Sequence, residues 1–432
     1  MGGSAWALLS LTLGIVTSAL RAFVVARLLG AHEVGTVGIA MLVLATAEAL
    51  TTTGSETALV THPDGGEEDL DLIFTLRVAQ GLLIALLLWG AAPVAARFFG
   101  VPAVAGLTRA LALVPLIRGF SNPAAVLLIR RIEFRRLFWW GLPETVAGIA
   151  LLVGVGLARR DAWALAAATI GAQGVSTAVS YLMAPRIPRL TVRGPGLARL
   201  LHYGRWMQGT RVLMFLGFHL DNLLVGKLLG PTALGYYQLA FRIGEIPVST
   251  VGRAAAQVML PVLTRLRRRP DRLRRQFLST LRLVVGVNAA FALVLVLAAR
   301  PAVELLLGPS WLPAVPVIRI LAVAMVFRVV MVLTNQLFYA VERLRLVFMV
   351  NTVRVAVMAL TIYPLLLAMG ISGVAVAVLL SSAATALACV AGAGSVTGFG
   401  PGGHVPGANR GAEAGRSARG STLFDPRLTG GG

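Results

Sequence analysis

Residues 26–35 read ARLLGAHEVG and residues 226–235 read GKLLGPTALG, so a basic residue, Leu-Leu-Gly and a closing Gly recur at an offset of 200. Each copy ends an apolar helix with a cation and a glycine-bounded turn, both ordinary devices for closing a helix C-terminus. A second pair follows in the same order: RALALVPLIR at 109–118 and RILAVAMVFR at 319–328 share both arginines, a Leu and an Ala at an offset of 210. Leu-Leu-Gly alone is a cheap match in an apolar chain, but two ordered matches at nearly one offset imply that one half of the chain is duplicated. The small slip between the offsets is absorbed by loops. Halves of six helices each insert with the same orientation, related by an axis along the membrane normal. Transporters of that design hold substrate between halves that rock against each other.

The composition supplies the helices this reading needs. Of 432 residues, 57% are apolar and only 13% charged, with mean hydropathy +0.81, whereas soluble domains carry roughly a quarter charged residues. A span takes about 20 apolar residues. The apolar runs predict twelve, at 5–28, 34–60, 73–96, 106–129, 137–158, 162–184, 206–228, 233–262, 277–299, 314–339, 345–368 and 371–392. The expected fold is an all-α membrane protein with about 12 transmembrane helices in two six-helix lobes around a central cavity. Its predicted parts are an N-terminal lobe (1–185), a basic cytoplasmic linker (186–204), a C-terminal lobe (205–392) and a disordered Gly/Arg-rich tail (393–432). The opening run, MGGSAWALLSLTLGIVTSAL, lacks a basic n-region and reads as a first transmembrane helix. The single cysteine, Cys389, excludes a disulfide framework and a cysteine-based metal site.

The formal charge of +21 would suit a nucleic-acid binder if the arginines were spread over a soluble surface. Instead they gather in alternate loops. Arg130, Arg131, Arg135 and Arg136 follow helix 4, Arg186, Arg189, Arg193 and Arg199 follow helix 6, and Arg265, Arg267, Arg268, Arg269, Arg272, Arg274 and Arg275 follow helix 8. Arg343 and Arg345 follow helix 10. The positive-inside bias puts these loops and both termini in the cytoplasm and leaves no need for a nucleic-acid partner. The acidic loop 62–72, HPDGGEEDLDL, falls on the same side without overturning the count, because acidic residues contribute little to orientation.

Ten charged residues lie within the apolar runs: Arg21, Glu48, Arg118, Glu144, Arg211, Asp221, Arg242, Glu245, Arg328 and Arg354. An uncompensated charge at the bilayer centre costs at least about 2.5–3.5 kcal/mol, so they require a hydrated cavity or partners. Arg242, Glu245, Ser249 and Arg253 step by three or four and share a helix face; Arg242 and Glu245 pair along the helix, line the cavity, or do both. The excess of guanidinium points to an anionic cargo such as a phosphate or diphosphate, which arginine grips with a bidentate fork. Glu48, Glu144, Asp221 and Glu245 either balance that charge or respond to an ion gradient. No phosphate loop, zinc spacing or nucleophile elbow is present. The Asp69 and Asp71 pair sits apart from any nucleotide-binding domain, and the five histidines, His219 among them, form no ligand set. The residues therefore point to no enzyme, no metal and no cofactor.

ARLLGAHEVG, FFGVPAVAGLTRALAL, RRIEFRRL, LDNLLVGKLLGPTALGYYQLAFRIGEIPVS and GPSWLPAVPVIRILAVA, in that order, resemble the Wzx-type oligosaccharide flippases of the multidrug/oligosaccharidyl-lipid/polysaccharide exporter superfamily. The resemblance spans residues 5–392. It implies a multi-pass protein of the bacterial plasma membrane that moves undecaprenyl-diphosphate-linked sugar units by alternating access. A single chain already supplies both lobes, so a monomer suffices for function, with polysaccharide polymerases as candidate partners. Related lipid II flippases carry a first-helix arginine six residues before the one that precedes the turn, facing the lipid diphosphate; Arg21 stands six before Arg27. Its repeat counterpart is Asp221. The candidate substrate-binding residues are thus Arg21, Arg118, Arg211, Arg242, Arg328 and Arg354, with Glu48, Asp221 and Glu245 for charge balance or ion coupling. Two alternatives stand beside this reading. A drug exporter of the same superfamily would favour carboxylates and aromatics in the cavity, and a membrane polymerase or glycosyltransferase would need a long external loop or a catalytic domain.

Overall fold

The structure is a computed structural model that describes residues 14, 17, 20–51, 67–123, 134–184, 186–191, 215 and 217–397. The N-terminal half comprises α1 (described from residue 20 to 28), α2 (Ala31–Thr51), α3 (Glu67–Phe99), α4 (Ala103–Leu111), α5 (Leu113–Gly119), α6 (Phe134–Arg159) and α7 (Trp163–Met183). The C-terminal half comprises α8 (217–228), α9 (Gly230–Pro247), α10 (Arg253–Leu266), α11 (Pro270–Ala302), α12 (Val315–Ala340), α13 (Leu344–Met369) and α14 (Ile371–Thr397). With α4 and α5 taken as one pass and α9 and α10 as another, the described residues trace twelve passes. Eight are long and apolar enough to cross a membrane by themselves. Large apolar side chains such as Leu86, Trp89, Leu283, Leu297 and Leu360 stay exposed on the outer faces, as a lipid-facing surface requires.

Each half packs mainly on itself. α6 and α7 pair, α3 lies on α4 and α5, α12 lies on α11 and α14, and α13 on α14. The two lobes meet along α2 and α9. Their shared core contains Ile39 and Val104 from one side and Leu234, Trp311 and Ile318 from the other. The repeat extends further than the two sequence matches: α3 and the π turn Val303–Leu307 that continues α11 both end on a glycine with positive φ, Gly100 at φ +70 and Gly308 at φ +102, a conformation that L side chains resist.

Four expected elements differ. The fourth span breaks at Ala112, because Pro115 brings no N–H for the carbonyl four residues earlier. The eighth span changes to a π turn over Val248–Gly252 directly after Pro247. There Ser249 Oγ and Thr250 Oγ1 both donate to the Ile246 carbonyl, at 3.0 and 2.8 Å, in place of regular ladder bonds. The acidic segment is not all loop: helix α3 starts at Glu67 and takes in Asp71. At the other end α14 runs on to Thr397, past the expected stop at 392, through the small residues AGAGSVT that a helix tolerates. The expected tail from 398 onward lies outside the described residues.

Candidate functional site

The lobes touch at the first turns of α2 and α9, and the contact is reciprocal. A Cβ on Gly35 would stand 1.6 Å from the carbonyl oxygen of Pro231, and one on Gly235 would stand 1.9 Å from that of Ala31. Residues 31 and 35 are the repeat equivalents of 231 and 235, so each glycine admits the backbone of the other lobe in the same way, as a two-fold contact demands. His32 and Thr232, equivalents of one another, approach to 3.3 Å between Nδ1 and Oγ1. The cations of the repeat close the pattern. Arg27 donates from Nε to Leu306 O at 2.7 Å and from Nη2 to Leu305 O at 2.5 Å, and Lys227 donates to Phe98 O at the end of α3. Each cation thus closes the C-terminal carbonyls of a helix in the opposite lobe, where the helix dipole favours positive charge.

Away from this clasp the lobes part around a cavity of about 640 Å³. Arg21, Arg118 and Glu144 contribute from the N-terminal lobe, and Arg242 and Glu245 from the C-terminal one. Arg118 Nη1 lies 2.7 Å from Glu48 Oε1, both partly exposed at 48% and 30%, and its Nε donates to Gln173 Oε1 at 3.2 Å. Arg21 reaches over α6, where a Cβ on Gly148 would fall 2.7 Å from its Nη2; the glycine keeps the space the guanidinium occupies. Among the described residues neither Arg21 nor Arg242 has a carboxylate within ion-pair distance, and the two lie within electrostatic range of each other.

The remaining candidates, Asp221, Arg328 and Arg354, gather inside the C-terminal lobe behind residues that also line the cavity, Phe218, Asn222, Phe241 and Glu245. Asp221 is 5% exposed and accepts from the Tyr237 hydroxyl at 2.6 Å and from Asn222 N and Nδ2 at 2.8 and 3.0 Å. Arg354 donates to Gly217 O at 2.9 Å and stacks its Cζ 4.0 Å from the Phe218 ring centre. Arg328 lies 5.3 Å from the rings of both Phe218 and Phe241, the geometry of a cation–π contact. Glu245 Oε1 is shared by Arg253 at 3.3 Å and Arg328 at 3.7 Å. The π turn brings residues eight apart together here, so Glu245 turns to Arg253 and Arg328, leaving Arg242 to the cavity. Arg211 lies outside the described residues.

Charge alone as a criterion overlooks several members. Gln173, Asn222 and Gln238 line the cavity, and an amide in an apolar helix is the signal that marks them. Asp71 is also engaged. Its Oδ2 takes Arg186 Nη2 at 3.0 Å and its Oδ1 takes the Arg189 N–H at 3.0 Å, while Thr75 Oγ1 accepts from Thr191 N at 2.8 Å. The buried carboxylate thereby latches the start of the basic linker onto α3.

Curated relatives share this sequence over most of its length. The chain is 22% identical over 335 residues to the lipopolysaccharide biosynthesis protein WzxC of Escherichia coli (strain K12), covering 76% of this chain and 67% of the relative. It is 26% identical over 320 residues to the succinoglycan biosynthesis transport protein ExoT of Rhizobium meliloti (strain 1021), covering 74% and 65%. The chain thus spans about two thirds of the length of these relatives. Among solved structures, the lipid II flippase MurJ in an inward closed conformation superposes with a TM-score of 0.73 at 14% identity, over 90% of this chain and 87% of that one, a likeness of fold. The model of the polysaccharide biosynthesis protein family matches residues 24–316, and this multi-pass membrane protein belongs to that family.

Proposed function

We propose that this chain is a non-enzymatic flippase that carries undecaprenyl-diphosphate-linked oligosaccharide units across the bacterial plasma membrane by alternating access, for assembly of a surface polysaccharide. The carrying observation is the pair Arg21 and Arg242, on facing lobes of one cavity, with no carboxylate of their own within ion-pair distance among the described residues. A diphosphate held between two guanidiniums satisfies both with bidentate bonds. The polyprenyl chain stays in lipid, and Gln173, Asn222 and Gln238 supply the hydrogen bonds that sugar hydroxyls need. Arg118, tied to Glu48 and Gln173, stands where cargo enters from the arginine-rich end.

The positive-inside bias puts that end and both termini in the cytoplasm, with the clasp closing the outer side. The lobes of this reading are residues 1–185 and 205–392, joined by the linker 186–204. Asp221 and Glu245 then balance the charges of Arg328 and Arg354 within the C-terminal lobe and keep it rigid while it rocks.

The test is the sidedness of lipid-linked oligosaccharide in a strain lacking the gene. Complete units held at the cytoplasmic face, released by the wild-type chain and not by one carrying Arg21→Ala, are the expected result. Complete units outside but unpolymerised, or incomplete units inside, would assign the chain to the polymerase or glycosyltransferase step.

A further inference from the structure

A second cationic surface lies outside the cavity, at the end of the C-terminal lobe remote from the clasp. α11 is 33 residues long, roughly 50 Å at 1.5 Å per residue, and so exceeds the hydrocarbon thickness of about 30 Å. Its first turns stand beyond the apolar layer, yet they are not loose. Leu273 and Phe277 are buried against Leu263 and Leu337 in the lobe core. The neighbouring α12–α13 turn is fastened to the same place by Arg267 Nη1, 2.6 Å from Glu342 Oε1.

The exposed face of α11 changes character along one stripe. Arg272, Arg275 and Arg282 follow each other at helical spacing, and Leu283, Val287 and Leu297 continue the same exposed side. An exposed aliphatic stripe on this chain faces lipid tails, so the arginine stripe continuous with it stands at the level of the headgroups. Arg268 and Arg269, both exposed, extend it across the α10–α11 turn, and Asp271 is the one acid between 265 and 282.

We propose that this face binds the phosphate headgroups of anionic phospholipids, so that the C-terminal lobe is held at the bilayer surface by lipid contacts distinct from the cargo cavity. Continuity with the lipid-facing stripe selects a phospholipid rather than a soluble anion or a nucleic acid. The inference stands independently of the flippase reading.

The test uses the full purified chain in a neutral detergent and compares binding of short-chain phosphatidylglycerol with phosphatidylcholine of the same chain length. Each basic residue near an anionic surface contributes about 1 kcal/mol, roughly fivefold. Replacing Arg268, Arg269, Arg272 and Arg275 together by Gln should therefore lower the phosphatidylglycerol preference at least about tenfold, and replacing them by Lys should retain most of it. An unchanged preference in the Gln variant overturns the proposal, as does a face that prefers a polyprenyl diphosphate, or RNA, over phosphatidylglycerol. Should the Gln variant fail to fold, the wild-type preference must collapse on raising salt from about 0.05 to about 0.5 M, which shortens the Debye length severalfold. A preference that survives the salt contradicts the proposal equally.

Discussion

His32 Nδ1 stands 3.3 Å from Thr232 Oγ1, and the two residues occupy the same place in two copies of one six-helix half. A residue that touches its own equivalent lies on the axis relating the copies, so the pseudo-two-fold passes between these side chains. A pair of cysteines at 32 and 232 should therefore form a disulfide that fixes the lobes and stops transport until it is reduced. Cys389 is buried and does not compete. Failure of that pair to cross-link under oxidation would put the axis elsewhere.

The glycines beside this pair have no room for a side chain. Gly35→Ala or Gly235→Ala drives a methyl into an opposing carbonyl and should cost the closed state about 1–3 kcal/mol. The rate of the 32–232 cross-link reads this directly, and should fall at least about fivefold in either variant.

Arg27 and Lys227 play one part from opposite lobes, so Arg27→Ala and Lys227→Ala should act in the same direction. Each removes a charged donor from exposed carbonyls, worth about 1 kcal/mol and roughly fivefold in the closed population. Distance distributions between spin labels on the two lobes should broaden toward the separated state in each, and further in the double variant. Opposite shifts would deny the symmetry.

Asp71 is buried and satisfied by Arg186 and by the Arg189 amide. Asp71→Ala removes the carboxylate that holds Arg186 and the Arg189 amide and frees the linker. Limited proteolysis within 186–204 should accelerate several-fold, and stability should fall by about 2 kcal/mol, with the cavity arginines untouched.

Glu342 and Arg267 lie outside the spans. The hydrogen bond and charge of Arg267 pull the Glu342 carboxyl below its ordinary value of 4.5. A depressed carboxylate contributes stability above its unfolded value and loses it as pH falls through the folded one. The difference in Tm between wild type and Glu342→Gln should stay constant from neutral pH down to about that value and shrink below it. A difference that widens on acidification would reverse the assignment.

The twelve passes and the duplication were legible because apolar runs and a glycine-bounded turn leave periodic marks. The turn that revealed the repeat, Leu28-Leu29-Gly30 and its copy, also marks where the lobes meet. Local backbone events were not legible: Pro115 and Pro247 announce a disturbance, but whether it becomes a break or a π turn depends on which hydroxyls and neighbours take up the freed carbonyls. Charge pairing was legible only in outline. Glu245 and Arg242 share a helix face, yet the π turn presents Glu245 to Arg253 and to Arg328 on another helix, a tertiary choice that spacing does not encode. Asp71 hid among acidic neighbours because its partners arrive more than a hundred residues later.

The central claim is that Arg21 and Arg242 together hold a lipid diphosphate while the lobes exchange access. It is tested most directly by the purified chain in vesicles containing a labelled polyprenyl-diphosphate oligosaccharide, with the fraction reaching the opposite leaflet followed over time. Losing one buried charge-paired contact costs at least about 2 kcal/mol, roughly thirtyfold. Wild type should therefore translocate the lipid, Arg21→Ala and Arg242→Ala should each be slower by about that factor, and Arg21→Lys should recover only part of the loss. Translocation at the wild-type rate by the doubly substituted chain, folded and inserted, would contradict the account.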